Sequence, residues 1–144
     1  MGSSIINTLD ANGAIAVGTA YAGISAAPSN GAIIQGNVGI GTSTPASTLE
    51  VNGTFATTVQ TGQVAGTNNP DNTAAVWIYS SGAGSITLPA AGTCSGRRYV
   101  ILNQTGASVT TSSYIDITTA SVTSLANNTS IEVISDGTNW RQIK

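Results

Sequence analysis

The chain contains no histidine and a single cysteine, Cys94. The missing imidazole removes Ser–His and Cys–His nucleophile systems and every His-ligated metal site. One cysteine cannot close an intrachain disulfide, and with no histidine to activate it Cys94 reads as a small buried or half-buried residue. Charge is also scarce: Lys and Arg number 4, Asp and Glu 6, and the net charge is −2. Charged residues are 7% of the chain, where an ordinary soluble domain carries about 25%. Phosphate backbones are held by clusters of Lys and Arg, and the one adjacent basic pair, Arg97-Arg98, makes no such patch, so nucleic acid is excluded as a partner. Long apolar runs are missing as well. No stretch approaches the ~20 residues of a membrane span, and no basic region leads into an apolar one near Met1, which predicts neither membrane insertion nor Sec export.

What remains is a neutral surface of Ser, Thr, Asn, Gln and Gly over a chain that is 40% hydrophobic and 5% aromatic. Disordered chains combine low hydrophobicity with high net charge, Pro, Glu and Lys. Here Val, Ile and Thr are frequent instead, and these are strand formers. The composition predicts an all-β protein with tight turns.

The 144 residues divide into three zones. Residues 1–60 are rich in Gly, Ala, Ser and Thr, with short apolar runs such as Ala14-Ile15-Ala16-Val17, Ala32-Ile33-Ile34, Val38-Gly39-Ile40 and Leu49-Glu50-Val51. Asn12-Gly13, Asn30-Gly31 and Asn52-Gly53 suit type I′ turns, where both residues take positive φ. Leu9-Asp10-Ala11-Asn12-Gly13 echoes Leu49-Glu50-Val51-Asn52-Gly53, and Val17-Gly18-Thr19 echoes Ile40-Gly41-Thr42, as if one strand–turn device were used twice. Residues 61–74 are dominated by turn formers and read as a linker. Residues 75–144 hold both tryptophans and three of the four tyrosines. Strands are expected at 75–80, 85–88, 98–103, 108–111, 114–118, 130–135 and 139–143, and their regular spacing predicts a β-sandwich or small barrel.

The first zone is too poor in large apolar side chains to offset an ordering entropy of about 1–2 kcal/mol per residue. Between Asp10 and Glu50 it has no charged residue, so its strand edges lack the gatekeepers that discourage pairing with other chains. The expectation is self-association. Several copies would wrap one axis, with Val38, Ile40, Leu49 and Val51 at its core.

The same residues carry a family likeness. Gly36-Asn37-Val38-Gly39-Ile40-Gly41-Thr42-Ser43-Thr44-Pro45, followed by Ser47-Thr48-Leu49-Glu50-Val51-Asn52-Gly53, resembles the "NVGIGTTTP…KLDVNG" segment of tailed-phage tail fibres and related bacterial surface proteins. Tyr21-Ala22-Gly23 and the stretch from Pro28 to Gly36 match its usual lead-in. The later zone is similar to a phage-fibre distal module, through Ile86-Thr87-Leu88-Pro89-Ala90-Ala91, Gly96, Tyr99, Ile101, Asn103, Leu125-Ala126-Asn127-Asn128 and Ser135-Asp136-Gly137-Thr138-Asn139-Trp140. The two likenesses cover residues 20–144. They imply an intertwined homotrimeric virion fibre, with an N-terminal β shaft and anchor and a C-terminal sandwich or jelly-roll-like head. They also imply attachment through the N-terminal region to other capsid or tail proteins, and a host-surface glycan as the ligand of the head. Many relatives continue into a self-cleaving chaperone with a Ser–Lys pair. This sequence stops at Lys144 without one, as expected of a natural short fibre, a mature product or an excised fragment; a natural, complete chain of this length would point to a head fibre or spike. A purely architectural head fibre or capsid decoration protein, or a bacterial surface adhesin module, fits the same residues.

Chemistry has few parts to work with, and the expectation is a non-enzymatic protein with no cofactor and no metal. Among the carboxylates only Asp116 and Glu132 lie on neighbouring expected strands as a glycosidase pair would require, and both read better as solvent-facing. Gly39 and Gly41 lack the helix and Lys of a phosphate loop. Trp77 and Tyr99 read as core, and Trp140 as packing beneath the Asp136-Gly137 turn, which Asp136, Thr138 and Asn139 would stabilise. Tyr114 follows Thr111-Ser112-Ser113 and reads as exposed. With Arg97, Arg98, Asn127 and Asn128 it makes up the set of candidate ligand contacts. The arginines otherwise read as ion-pair partners for a neighbouring copy.

Overall fold

The computed structural model describes residues 13–144, which fall into two compact units divided after Phe55. The echo at Leu9–Asn12 lies outside the described residues. Among the described residues regular structure is all β apart from one 3₁₀ turn at Ala91–Thr93.

In the first unit, β1 (Ile15–Val17) runs parallel to β2 (Ala32–Ile34), and β3 (Val38–Ile40) runs parallel to β4 (Leu49–Val51). The two pairs are built alike. Ile15 N–H donates to the Gly31 carbonyl (2.9 Å) and Gln35 N–H to Val17 (3.0 Å); Val38 N–H donates to Thr48 (2.8 Å) and Asn52 N–H to Ile40 (2.8 Å). Each first strand ends at a glycine of positive φ, Gly18 (109°) and Gly41 (73°). A Cβ on Gly41 would lie 2.9 Å from the Asn52 carbonyl oxygen, so only glycine lets the chain turn away there. The Val17-Gly18-Thr19 and Ile40-Gly41-Thr42 echo is therefore a structural repeat.

Of the Asn-Gly pairs within the described residues, Asn30-Gly31 and Asn52-Gly53, neither makes a hairpin. Parallel partners need a return loop rather than a two-residue turn. Asn30 alone takes positive φ (55°), in a turn closed by Gly31 N–H on the Pro28 carbonyl (3.0 Å). In the second pair the loop back is tied by side chains: Thr44 N–H donates to the Thr42 hydroxyl, Ala46 N–H to the Glu50 carboxylate and Asn37 to the Pro45 carbonyl. None of residues 13–55 is buried. Val38 faces Leu49 and Ile40 faces Val51 in register, so the four expected axis residues come together; Ile40 and Leu49 are more than half exposed.

The second unit contains β5 (Val59–Val64), β6 (Val76–Ser81), β7 (Arg98–Asn103), β8 (Val109–Ile115), β9 (Ser121–Leu125), β10 (Thr129–Ser135) and β11 (Trp140–Gln142). They form one mixed sheet in the order β5-β6-β7-β10-β11-β8-β9, not the two facing sheets of a sandwich. β5, β6 and β7 are parallel neighbours, as are β11 and β8; the other pairings are antiparallel. Strand spacing in the sequence gives no information on partner choice, and parallel returns turned the expected sandwich into a single sheet. The expected linker is also corrected. Residues 61–64 complete β5, and the loop after it is anchored to the unit, with Ala65 buried.

Alternation places one face of each central strand inside: Trp77 and Tyr79 of β6, Tyr99, Ile101 and Asn103 of β7, Ile131, Val133 and Ser135 of β10. Trp77, Ile101 and Ile131 stand in one cross-strand row. Ile86, Leu88, Ala91 and Cys94, from the stretch between β6 and β7, join the same cluster. The cluster includes five aromatic rings, and every one of their polar tips is satisfied by a main-chain carbonyl. Trp77 donates to Ala74 (3.2 Å), Tyr79 to Asn68 (3.0 Å), Tyr99 to Asp71 (2.6 Å), Tyr114 to Ser124 (3.2 Å) and Trp140 to Pro89 (2.8 Å). Buried Asn103 uses all its capacity, donating to Ala107 and Leu125 and accepting twice from Thr105.

Tyr79→Phe keeps the ring and deletes one hydroxyl. It is expected to lower stability in urea by about 0.5–1.5 kcal/mol and to speed amide exchange in the loop that follows β5. Unchanged exchange there would show that the ring tip does not hold the loop.

Candidate functional site

The five candidate ligand contacts are dispersed over three places. Arg97 and Arg98 open β7 beside a hollow of about 240 Å³ that Asp71, Asn72, Thr73 and Thr58 also line. Arg98 forms an ion pair with Glu132 on the adjacent strand β10; Arg98 is open to solvent and Glu132 half-buried, and surface pairs of this kind contribute little. Arg97 is half-buried and donates to the Tyr99 hydroxyl (3.4 Å), the contact that chiefly raises its pKa. Asp71 accepts from the hydroxyl and N–H of Thr73 (2.5 and 2.8 Å), and these bonds hold its carboxyl below the usual value.

Asn127 and Asn128 form the β9–β10 turn. The Asn127 side chain accepts from Gly106 N–H (3.0 Å), and Asn128, with φ 57°, donates its N–H to the Asn103 carbonyl (2.7 Å). Their first role is to turn the chain, although Asn128 also borders a smaller hollow with Leu102 and Gln104.

Tyr114 is buried, at 4% exposure, which corrects the expectation that it faces solvent. The reason is a bulge. β8 pairs with β9 at Thr110–Ser124 and again at Tyr114–Val122, so three residues of β8 face one of β9. Buried positions along β8 are therefore 109, 111 and 114, a slip that strict alternation does not anticipate. Burial raises the Tyr114 pKa. The bulge also leaves the Thr111 hydroxyl as the one buried side-chain polar atom without a partner among the described residues.

Beside Tyr114 lies a cleft of about 270 Å³, bordered by Leu88–Ala91, Ser112–Ile115 and Thr138–Trp140. The turn before β11 fixes one wall. Asp136 accepts from Thr138 N–H (2.8 Å) and Asn139 N–H (2.7 Å), three residues the sequence assigned to this turn, and it also pairs with Arg141. Trp140 follows, its ring tilted 35° against Tyr99 at a centroid distance of 5.2 Å. The Asn139 side chain and Thr138 hydroxyl have no partner among the described hydrogen bonds. Sequence reading assigned both residues to the turn and missed that only their backbone is spent there.

Asp116 organises its own turn through Thr118 and Ala120, and Glu132 holds Arg98, so the two carboxylates have separate partners. The arginines read from sequence as partners for a neighbouring copy, yet Arg98 and Arg141 pair within the chain, with Glu132 and Asp136. Among the described residues no group of three His, Cys, Asp or Glu comes together to hold a metal.

In comparisons with known proteins, no family model, curated protein or solved structure matches the chain.

The Asp136 carboxyl is lowered from 3.8 to about 2, first by the Asn139 N–H, then by the Arg141 side chain and the Thr138 N–H. A depressed carboxyl stabilises the fold fully above its unfolded value and loses that contribution as pH falls through the folded one. Thermal melts are therefore expected to decline between pH 3.8 and about 2, and Asp136→Asn should flatten that decline. An identical acid limb in the variant would remove Asp136 from the account.

Proposed function

We propose that the chain is a structural subunit of a phage fibre or spike. It trimerises through its N-terminal part, which also attaches it to other virion proteins. Its C-terminal unit presents a surface for host glycan. The reading belongs to a virion, an extracellular particle, and to a protein whose work is assembly and adhesion rather than catalysis.

One observation carries it. The first unit buries no described residue, yet Val17, Ile34, Ile40 and Leu49 stand 41–57% exposed on its short strands. Two isolated pairs of three-residue strands are marginal in water. They become stable when further copies cover these side chains, at about 25 cal/mol per Å² of apolar surface removed from water. The uncharged run between Asp10 and Glu50 places no repulsion in the way. The second unit, with its own aromatic core, needs no such help and is free to act as the displayed part. Three weak sites on one assembly bind a surface by avidity.

Light scattering on a sizing column is expected to give three times the chain mass of 14.3 kDa. Ile40→Asp combined with Leu49→Asp should reduce it to a single chain while the Trp77 and Trp140 fluorescence of the second unit persists. A monomeric parent whose residues 13–55 are protected from amide exchange would sink the proposal.

A further inference from the structure

The cleft beside Tyr114 exists because β8 changes neighbours. At Thr111 it bridges Ile86 in parallel, with Ile86 N–H donating to Thr110 and Ser112 N–H to Ile86, both at 2.9 Å. One step on, Leu88 N–H is taken by the Ser112 hydroxyl (2.9 Å), and at Ile115 the partner is Arg141 of β11. Between these points two segments border the gap opposite β8, Leu88–Ala91 and Thr138–Trp140.

The lining is divided by chemistry. Leu88, Tyr114 and Trp140 are buried in its floor, while Ser113, Thr138 and Asn139 are exposed at its rim, the Ser113 hydroxyl paired with that of Ser121 (2.7 Å). No charged side chain lines it. Asn68, Asn69, Asn103 and Asn127 use their side chains on this protein's own backbone. Asn139 does not. Its backbone is pinned by Asp136, while its side-chain amide stays free for a ligand.

We propose that this cleft is a subsite for one uncharged sugar ring of a surface glycan. The proposal rests on the glycan-attachment reading above and gives it a location. A sugar ring offers a C–H face to the apolar floor and hydroxyls to the Asn139 amide and the Thr138 hydroxyl. An anionic group would find no cation in the cleft, and a purely aliphatic ligand would leave the rim groups without partners. The hollow at Arg97, which sets a guanidinium near a carboxylate, is the contrasting place on the same unit.

The two indole N–H groups, Trp77 and Trp140, give separate NMR reporters on the intact protein. The probes are methyl glycosides of neutral hexoses and of N-acetylhexosamines, with glucuronic acid as the charged control. A neutral glycoside is expected to shift the Trp140 indole and leave Trp77 unmoved. Asn139→Ala should weaken that binding about tenfold, and Thr138→Val should weaken it without altering the thermal melt; Arg97→Ala should leave it unchanged. Glycan-array binding that survives Asn139→Ala and is lost in Arg97→Ala would overturn the cleft while sparing the attachment reading. Silence of both the array and the glycoside panel would overturn the two together.

Discussion

A buried ring with a polar tip must find a partner for that tip, and in the second unit this requirement organises the loops. The core joins the rings of Trp77, Tyr79, Tyr99, Tyr114 and Trp140 to the aliphatic side chains of Ile86, Leu88, Ile101, Val109, Leu125, Ile131 and Val133. Each ring adds apolar area and brings a donor that is costly to leave unpaired. Most of the carbonyls that answer lie in the connections, at Asn68, Asp71, Ala74 and Pro89. Loops that would otherwise wander are thereby fastened to the sheet from within. Aspartates fasten them from without, since Asp71, Asp116 and Asp136 each close a turn on neighbouring N–H groups. The scarce carboxylates are largely consumed in architecture.

The two units solve opposite problems. The second closes a core around its own rings and leaves small polar groups at the surface. The first repeats a parallel strand pair twice and covers neither. The difference follows from side-chain supply: the described part of the first unit has Tyr21 and Phe55 as its only aromatics, and Phe55 is 76% exposed.

Strand alternation in β6, β7 and β10 was readable because each keeps its period over six or seven residues. Trp77, Tyr99, Trp140 and Cys94 were placed inside for the same reason, or for their size. The β8 bulge was not readable. Thr111-Ser112-Ser113 looks like a solvent-facing run, and only the competition of the 86–88 segment and β11 for β8 explains why Tyr114 turns inward. β5 was hidden by Gly62 and its two glutamines, and β9 by an absence of large side chains. Partner choice was illegible throughout, since hydrogen-bonding backbones look alike to a sequence. The cleft inherits that limit: its walls are distant in the chain and meet only through pairing.

The sheet order has a mechanical consequence. β5 is at one edge, β11 is interior, and tracing the pairings from β5 through β6, β7 and β10 to β11 makes the first and last strands run the same way. The register nonetheless sets their outer ends level: Val59, Val76, Val100 and Glu132 share one row, and Gln142 stands in the next, opposite Val133. Tension applied between the two termini of this unit therefore pulls across the strands and loads the ladders bond by bond instead of shearing them whole.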